Sequence, residues 1–531
     1  MKHLKKIMSL ILTAIMVIAM CVPVMADNTT TTTYKITAPA TTHIYEIYQI
    51  FTGDLHEGTL SNVKWGTNGK LPTGVTVGSA VDKSILDELN GVSANSTDRQ
   101  KLTVVEQYAN LTVQPVATIT NKGYYDAVPG YYLIKDQDDS ITGDDAYTTY
   151  LVKVVGTVNI APKSGKPSVD KQVLDETNDA EEGATDGWGE SADHAINESF
   201  KFKLIATIPD DKDMDAYEHY YLNFEDVMGR GVTFEKIDSV TVTPKDSTIA
   251  ERVLDASKKE YELSQNAVLG LKGPATWNIS IIDLKKYLTD IKGATITVIY
   301  SAHLNEEAEV TNASNENGTE NNQNKVALEY SNNPNATGDG KSRPDDTGKT
   351  DYDFVFVLTY EADNTKYKNE IKDGNELSGA GFKLYSDVNC SKEISLKKHT
   401  DGFYYPIATG ETGEEMFSDT KGKFNIKGLD AGTYYLKETT TPSGCNTISN
   451  MKIEINASHI EKKTEPTKVT VTLTKKVDGD PYTTNNVINK SGSTLPETGG
   501  IGTTIFYVVG VVLMLGAGVL LITKRRMSAK H

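Results

Sequence analysis

Most of the chain alternates apolar and polar residues with a period of two, which is the pattern of β-strands that bury one face. β-Branched and aromatic residues dominate these segments, and Gly, Pro, Asn and Asp residues separate them. Long helical periodicity is scarce between the two ends of the chain. We therefore predict an all-β protein. The clearest predicted strands are residues 44–51, 130–135, 150–160, 169–173, 221–228, 324–330, 354–366, 433–438 and 487–490.

The N-terminal end replaces this alternation with a continuous apolar run. Three lysines within the first six residues precede apolar residues from Ile7 to Val24, and Met25-Ala26 completes a cleavage site. A basic start, an apolar middle and a small-residue end are typical of a secretory signal. We predict a signal peptide over residues 1–26 and a mature chain that begins at Asp27.

The C-terminal end carries a second apolar run, from Ile501 to Ile522, followed by the basic cluster 524–526. A helix rises 1.5 Å per residue, so about 20 residues cross a bilayer, and this run is long enough. Basic residues that flank a span stay in the cytoplasm. Everything before Leu495 is therefore expected outside the cell.

Charge and cysteine content narrow the possible partners. The chain has 72 Asp and Glu residues against 54 Lys and Arg, a formal net charge of −18. This acidic balance argues against nucleic acid as a partner and against basic-patch binding to anionic membranes. Once Cys21 has left with the signal peptide, only Cys390 and Cys445 remain, too few for a disulfide framework. We favour one disulfide between these two over two buried thiols.

More than 400 residues remain between the two ends, which is enough for roughly two to four domains. Residues 162–167 and 333–350 are rich in Pro, Gly and polar residues, as linkers are. We predict a signal peptide (1–26), an N-terminal domain (27–163), a middle domain (164–344), a C-terminal domain (345–490) and a sorting region (491–531).

The middle domain places a lysine among apolar positions. Lys171 shares one face of its predicted strand with Val169 and Val173, because residues two apart point the same way. Asp226 and Asn324 fall on apolar faces of later strands in the same manner. Lysine is rarely buried without a partner. The alternative to a reactive cluster is a buried ion pair beside an incidental asparagine.

The C-terminal domain repeats this combination of residues. Even-numbered positions from 354 onward continue one inward face that reaches Lys366, and Lys368 on the same face is a rival. Glu438 lies on the inward face of a later strand, and Asn489 lies in the last one. A role in the core alone is the alternative interpretation.

A pentapeptide precedes the C-terminal apolar run: Leu495, Pro496, Glu497, Thr498 and Gly499. With the run and the basic cluster, it resembles the sorting signal of Gram-positive proteins that sortases process. The resemblance implies that a sortase cysteine attacks the Thr498 carbonyl, releases Gly499 with the membrane tail, and passes the acyl group to an amine. The alternatives are an ordinary anchor with a chance LPETG, or a GPI-type signal, which is not expected to end in a basic cluster.

Residues 45–54 resemble the N-terminal domain of backbone pilins. Those proteins carry a pilin motif, W-x-x-x-V-x-V-Y-P-K, whose lysine attacks the sortase-bound threonine of the next subunit. Four positions of the motif are kept here: Val158, Ile160, Pro162 and Lys163. Two positions depart from it: Val154 and Ala161. The resemblance implies that Lys163 is joined to Thr498 of another copy, with Lys153 and Lys166 as alternatives.

The two lysine-containing domains resemble the isopeptide-forming domains of pilins, the middle one Cna-A-like and the C-terminal one Cna-B-like. The Cna-B E-box, Y-x-L-x-E-T, matches Tyr434 to Thr439. The resemblance implies tandem immunoglobulin-like β-sandwiches with two crosslinks, each tying a first strand to a last: Lys171–Asn324 with Asp226 as the catalytic acid, and Lys366–Asn489 with Glu438. Burial would neutralise the amine, and each bond would expel one ammonia without a cofactor.

These features predict a secreted SpaA-type backbone pilin that is covalently attached to the cell wall. The implied partners are a class C sortase for polymerisation, a housekeeping sortase for wall attachment, other copies of the chain, minor pilins, peptidoglycan and a host surface ligand. The runner-up is a monomeric wall-anchored adhesin. We expect no enzyme, no cofactor and no metal, since no Ser/His/Asp, metal-ligand or phosphate-loop arrangement stands out in the sequence. The acidic positions 211, 213 and 215 imitate the start of a calcium loop but lack its glycine and glutamate.

Overall fold

The computed structural model describes residues 32–91, 104, 107–138, 140, 147, 149–160, 165–175, 186–310, 320–334, 337–455, 459–465, 468–473, 484–492 and 501–528. The predicted signal peptide and the LPETG pentapeptide lie outside these residues. Strands dominate the described part of the chain. The all-β prediction is therefore confirmed.

The N-terminal unit contains a short helix, α1 (Lys83–Gly91), and two sheets. Its strands are β1 (Tyr34–Thr37), β2 (Ile44–His56), β3 (Thr59–Trp65), β4 (Ala117–Thr120), β5 (Tyr124–Ala127), β6 (Gly130–Asp136), β7 (Thr149–Val154) and β8 (Val158–Asn159). One sheet has the order β5-β1-β8, and the other has the order β3-β2-β6-β7, with β4 also paired to β2. The long strand β2 is central because it pairs with β3, β4 and β6, and its residues 47–51 are all buried.

The middle unit is a sandwich of two seven-stranded sheets. Its strands are β9 (Ser168–Leu174), β10 (Trp188–Gly189), β11 (Ser191–Asp193), β12 (Ser199–Thr207), β13 (Leu222–Met228), β14 (Val232–Thr243), β15 (Arg252–Val253), β16 (Glu262–Leu263), β17 (Leu271–Lys272), β18 (Ala275–Ile281), β19 (Thr295–Leu304), β20 (Gln323–Ser331), β21 (Thr347–Lys349) and β22 (Asp353–Leu358). One sheet has the order β10-β9-β12-β19-β14-β15, with β17 on β14. The other has the order β11-β22-β20-β13-β18-β16, with β21 on β20. Both sheets contribute to one apolar core.

The C-terminal unit has a separate core. Its strands are β23 (Tyr360–Lys368), β24 (Gly381–Tyr385), β25 (Glu393–Ile394), β26 (Leu396–Lys398), β27 (Tyr404–Pro406), β28 (Met416–Phe417), β29 (Ile426–Leu429), β30 (Gly432–Thr440), β31 (Met451–Ile455), β32 (His459–Glu465), β33 (Lys468–Leu473) and β34 (Thr484–Asn489). One sheet has the order β26-β27-β29-β23-β34, and another has the order β25-β24-β30-β31, with β28 on β24. A third sheet pairs β32 with β33.

Strand pairing differs from the boundary expected between residues 344 and 345. Strands β21 and β22 both pair with β20 in a sheet of the middle unit, and β23 is the first strand of the C-terminal unit. The apolar run misled the sequence interpretation because β22 is buried on both faces. Val355 and Val357 enter the middle core, whereas Phe356 and Leu358 form a small cluster with Tyr360. When both faces of a strand are buried, a period-two pattern does not show where one domain ends and the next begins.

The predicted disulfide is wrong, because Cys390 and Cys445 are both free thiols. Cys390 lies beyond the Tyr385 end of the β24–β30 ladder, and Cys445 lies beyond the Gly381 end. That ladder alone is about 13 Å long at about 3.3 Å per residue. The Cα atoms of a disulfide lie within about 7 Å of each other, so the two thiols are too far apart to pair.

Candidate functional site

The middle sandwich brings Lys171, Asp226 and Asn324 together between its two sheets. Lys171 comes from β9 in one sheet, whereas Asp226 on β13 and Asn324 on β20 come from the other. Strands β13 and β20 are neighbours, with Val326 opposite Asp226 and Met228 opposite Asn324. The three polar residues have no exposed surface. The pattern of inward positions therefore located all three side chains correctly.

Tyr300 on β19 connects these three side chains. Its hydroxyl accepts hydrogen bonds from Lys171 Nζ at 3.0 Å and from Asn324 Nδ2 at 2.6 Å. The same hydroxyl donates to Asp226 Oδ2 at 3.0 Å, and Lys171 Nζ also donates directly to that oxygen. The amine and the amide nitrogen thus contact one common atom, so they lie within two hydrogen-bond lengths of each other.

Aromatic rings enclose the Lys171 amine. Its Nζ lies 5.0 Å from the centre of the Phe202 ring and 5.2 Å from that of Tyr300. Desolvation lowers the pKa of Lys171 and raises the pKa of Asp226, although the attraction between the two opposes both shifts. Burial therefore favours a neutral amine beside a protonated carboxyl. A neutral amine is the nucleophilic form of lysine.

Sequence reasoning missed Tyr300, because it occupies an ordinary inward position of β19 among apolar residues. A tyrosine is commonly buried for its ring, so alternation does not reveal a hydroxyl with a role. Only the sheet register would have found it. Strand β12 pairs with both β9 and β19, with Leu204 opposite Lys171 and Phe202 opposite Tyr300. Across β12, the β19 residue in line with Lys171 is Val298. Tyr300 lies two residues further along β19 and therefore points to the same face of the sheet as Lys171.

The C-terminal unit contains a second cluster of the same three residue types. Lys366 on β23 and Asn489 on β34 lie on neighbouring parallel strands, and Glu438 faces them from β30 in the other sheet. Lys366 Nζ lies 3.2 Å from Glu438 Oε1. Asn489 Nδ2 donates to Glu438 Oε1 at 2.9 Å and to Oε2 at 3.2 Å. The carboxylate therefore contacts both nitrogens.

This second cluster is also buried. Lys366 and Asn489 have no exposed surface, and the Phe382 ring centre lies 5.1 Å from Lys366 Nζ. Desolvation is the main cause that lowers the pKa of Lys366. The carbonyl of Asn446 accepts a further hydrogen bond from Asn489 Nδ2 at 3.0 Å. The rival lysine, Lys368, is exposed at the end of β23, so the fold brings Lys366 to Asn489.

The residues predicted for intermolecular linkage, Lys163 and Thr498, lie outside the described residues, as does the rest of Leu495–Gly499. The strand that leads towards Lys163 is described. Strand β8 pairs in parallel with β1, and the backbone N–H of Ile160 donates to Thr37 O at 2.9 Å. The alternative lysine Lys166 is exposed beyond the gap. The motif position Val158 therefore lies in the last strand of the N-terminal unit, and Ile160 follows it directly.

The last described element is the helix α2 (Ile501–Ser528). Residues Ile505–Ser528 are long and apolar enough to cross a membrane, with a mean hydropathy of 2.7. The basic residues Arg525 and Arg526 lie in the last turn. Within the described part of the chain, no group of three or more His, Cys, Asp or Glu side chains is arranged to hold a metal ion.

Comparison with known families gives two matches. Residues 363–475 match the SpaA prealbumin-like fold domain, which includes Lys366 and Glu438. Residues 488–528 match the LPXTG cell wall anchor motif, which includes Asn489 and Thr498. The resemblance predicted for the C-terminal domain and for the sorting signal is confirmed.

The chain is also similar to individual surface proteins. It is 24% identical over 434 residues to the trypsin-resistant surface T6 protein of Streptococcus pyogenes, with 72% of each chain covered. Among solved structures, it is similar to the T6 backbone pilin of S. pyogenes at 17% identity, with 88% of this chain and 100% of that chain covered and a TM-score of 0.46. It is similar to the major pilin SpaD of Corynebacterium diphtheriae at 15% identity, with 87% and 98% covered and a TM-score of 0.42.

The two family matches and the apolar helix α2 point to the same cellular location. A cell wall anchor motif is followed directly by a helix that can span the membrane and that ends in basic residues. Such a helix is retained by its basic end on the cytoplasmic side. The chain is therefore a membrane-anchored precursor sorted to the cell wall, with a SpaA prealbumin-like domain at residues 363–475 and an LPXTG anchor at residues 488–528.

Proposed function

We propose that this chain is the backbone subunit of a covalently polymerised pilus whose middle and C-terminal domains each form an internal Lys–Asn isopeptide bond. One observation carries the proposal. In two separate sandwiches, a fully buried lysine and a fully buried asparagine are linked to one buried carboxyl group, directly or through the Tyr300 hydroxyl. Stability alone does not explain why such groups are buried, since apolar residues of the same size often stabilise a core at least as well.

The chemistry of each bond follows from the residue types. The neutral lysine Nζ attacks Cγ of the asparagine, the Nζ–Cγ bond forms, and the Cγ–Nδ2 bond breaks. One proton passes from Nζ to the departing nitrogen, which leaves as ammonia, and the carboxyl group carries that proton. The fold supplies what an enzyme would: it holds the reacting groups close together and excludes water. The reaction occurs once per bond, so the protein is a structural subunit and not a turnover enzyme.

Polymerisation would use the two ends of the ectodomain. A sortase would cleave after Thr498 and transfer the Thr498 carbonyl to the Lys163 amine of another copy, and a final transfer would attach the fibre to peptidoglycan. The LPXTG match supports the first half of this reaction. The place of Lys163 in the sequence, three residues after Ile160 of the N-terminal unit, supports the second half, because an amine between two domains is accessible to an enzyme.

The experiment that tests polymerisation compares Lys163→Ala with the wild-type chain in cells that contain the sortases. A backbone pilin gives a high-molecular-weight ladder in denaturing gels, and Lys163→Ala abolishes it while cell-wall attachment of single copies persists. Lys166→Ala is the matched control, and its ladder is expected to be unchanged. An unchanged ladder in Lys163→Ala would reject Lys163, and the absence of a ladder in wild-type cells would favour the monomeric adhesin.

A further inference from the structure

We propose that Tyr300 is a catalytic residue of the middle domain, whose hydroxyl passes a proton from Asp226 to the departing nitrogen of Asn324. This inference rests on the proposed Lys171–Asn324 bond and adds a fourth member to that site. Tyr300 contacts the nucleophilic nitrogen, the acid and the leaving nitrogen through one oxygen atom.

The hydroxyl uses its full hydrogen-bonding capacity in this cluster. A tyrosine hydroxyl can donate one hydrogen bond and accept two. It accepts from Lys171 Nζ and from Asn324 Nδ2, and it donates to Asp226 Oδ2. A buried hydroxyl held for packing alone needs one partner, whereas this hydroxyl has three, and all three are reacting groups. The arrangement is therefore specific to the chemistry of the site.

A hydrogen-bonded route from the acid to the leaving nitrogen runs through this hydroxyl. Asn324 Nδ2 lies 2.6 Å from Tyr300 and directs its hydrogen bond there, although the amide is also near enough to Asp226 to lower the pKa of that carboxyl. The C-terminal domain is arranged differently, because Glu438 contacts Asn489 Nδ2 directly at 2.9 Å. There the acid itself reaches the leaving nitrogen, and no relay is needed.

The proton balance of the relay closes without another reactant. Lys171 Nζ attacks Cγ of Asn324 and becomes cationic. The protonated Asp226 carboxyl donates its proton to the Tyr300 oxygen while the Tyr300 hydroxyl proton moves to Nδ2, and the Asp226 carboxylate that results takes the extra proton from Nζ. Nδ2 leaves as ammonia when the Cγ–Nδ2 bond breaks. Tyr300 ends the step with one proton, as it began, and never holds a lasting negative charge.

Holding the phenol neutral agrees with its surroundings. Burial and the neighbouring Asp226 raise the pKa of Tyr300 well above its ordinary value, which makes a free phenolate costly in this core. A relay that donates and accepts at the same time avoids that state. The Phe202 and Trp277 rings, 5.1 Å and 5.0 Å from the Tyr300 ring, fix the orientation of the hydroxyl.

Tyr300→Phe in the full chain tests the relay, because it removes the oxygen and keeps the ring. Pulse-labelled chains, sampled over time and mapped as peptides, give the rate of the Lys171–Asn324 bond. The Lys366–Asn489 bond of the same molecule serves as an internal standard. General acid catalysis contributes about 10² to 10⁴ in rate, so we expect the first bond to form about 100-fold more slowly while the second is unchanged. Tyr220→Phe, which removes another buried hydroxyl from this core, is expected to leave both rates unchanged.

A second variant separates chemistry from folding. 3,5-Difluorotyrosine at position 300 keeps the ring and the hydroxyl but is a stronger acid, so the relay predicts a changed rate for the Lys171–Asn324 bond and no change for Lys366–Asn489. Wild-type rates in both Tyr300→Phe and the fluorinated chain would overturn the relay and leave the proposed function intact. Absence of the Lys171–Asn324 bond from the wild-type chain would instead overturn the proposed function.

Discussion

The backbone N–H of Lys171 donates a hydrogen bond of 2.6 Å to Asp353 Oδ2, which fastens the first strand of the middle sandwich to β22, the strand by which the chain leaves it. The sequence interpretation expected Asn324 on the last strand of this domain. That expectation is wrong, because β21 and β22 follow β20 in the same sheet. In the C-terminal unit, β23 and β34 are the first and last strands, as expected. The two proposed bonds therefore enclose their domains to different extents.

This difference predicts where a pulled fibre lengthens. Under tension the load would cross from Lys171 to Asn324 and from Lys366 to Asn489, so residues 325–365 are the stretch of these two sandwiches that bears load and can extend. Fully extended, 41 residues span about 140 Å at about 3.4 Å per residue, so we expect extension of the order of 100 Å. Single-molecule stretching of the ectodomain measures it.

Asp353→Ala is the variant that sharpens this mechanical test. Loss of the hydrogen bond to Lys171 N is expected to lower the force at which residues 325–365 extend, without changing the length gained. Asp351→Ala, which changes an exposed carboxylate two residues away, is the matched control. Extension by the length of a whole sandwich would contradict the covalent path.

The acids should be required for the bonds. Glu438→Ala is expected to abolish the Lys366–Asn489 bond and Asp226→Ala the Lys171–Asn324 bond, because each removes the group that carries the proton. Peptide mapping by mass spectrometry assigns the loss to one domain. Each variant should retain the bond of the other domain, and a variant that forms both bonds at the wild-type rate would disprove the role of its acid.

Two variants test which lysine of the C-terminal unit forms the bond to Asn489. Lys366→Ala is expected to remove that bond, since Lys366, unlike Lys368, is buried beside Glu438, whereas Lys368→Ala should retain it.

The Lys366–Asn489 bond should also raise the thermal stability of the C-terminal unit, because covalent closure of a loop of about 100 residues contributes about 5 kcal/mol. At about 2–4 °C per kcal/mol, the C-terminal transition should fall by about 10–20 °C in Asn489→Ala. Calorimetry of the ectodomain measures the shift, and an unchanged transition would show that no bond had formed.

Without its bond, the C-terminal unit should gain stability as pH rises. Burial lowers the pKa of Lys366 in the folded state, whereas the unfolded chain keeps a pKa of about 10.4. Between these two values the unfolded state binds more protons, so the free energy of unfolding of Asn489→Ala rises with pH and falls as pH drops through the folded pKa. Melting from pH 7 to 10 measures this slope. The double variant Lys366→Met, Asn489→Ala should lack this rise, and equal slopes would contradict a buried amine.

The free cysteines give a simple check on the fold. Cys390 and Cys445 are both partly exposed thiols, so a thiol-specific reagent should label two sites on the folded, non-reduced ectodomain. Prior reduction should not increase the number of labelled sites. If labelling required prior reduction, Cys390 and Cys445 would be joined in a disulfide, and the strand pairing between β24 and β30 would be wrong.

The sequence located the proposed crosslinking residues because alternation with a period of two reports which side chains face inward, and a Lys, an Asp or Glu and an Asn at inward positions are unusual. It did not find Tyr300, since a buried ring gives the same pattern with or without a functional hydroxyl. It misplaced β22, because a strand buried on both faces has no polar side to mark where one sandwich ends. It also paired two cysteines whose distance depends on which strands are neighbours, and alternation carries no information about strand order.

The two internal Lys–Asn bonds are tested best by the intact mass of the mature ectodomain, measured after complete denaturation. If both buried clusters have reacted, the mass is lower than the value calculated from the sequence by two ammonias, and peptide mapping recovers Lys171 joined to Asn324 and Lys366 joined to Asn489. A mass equal to the calculated value would contradict the account, because the lysines would then be no more than buried members of ion pairs.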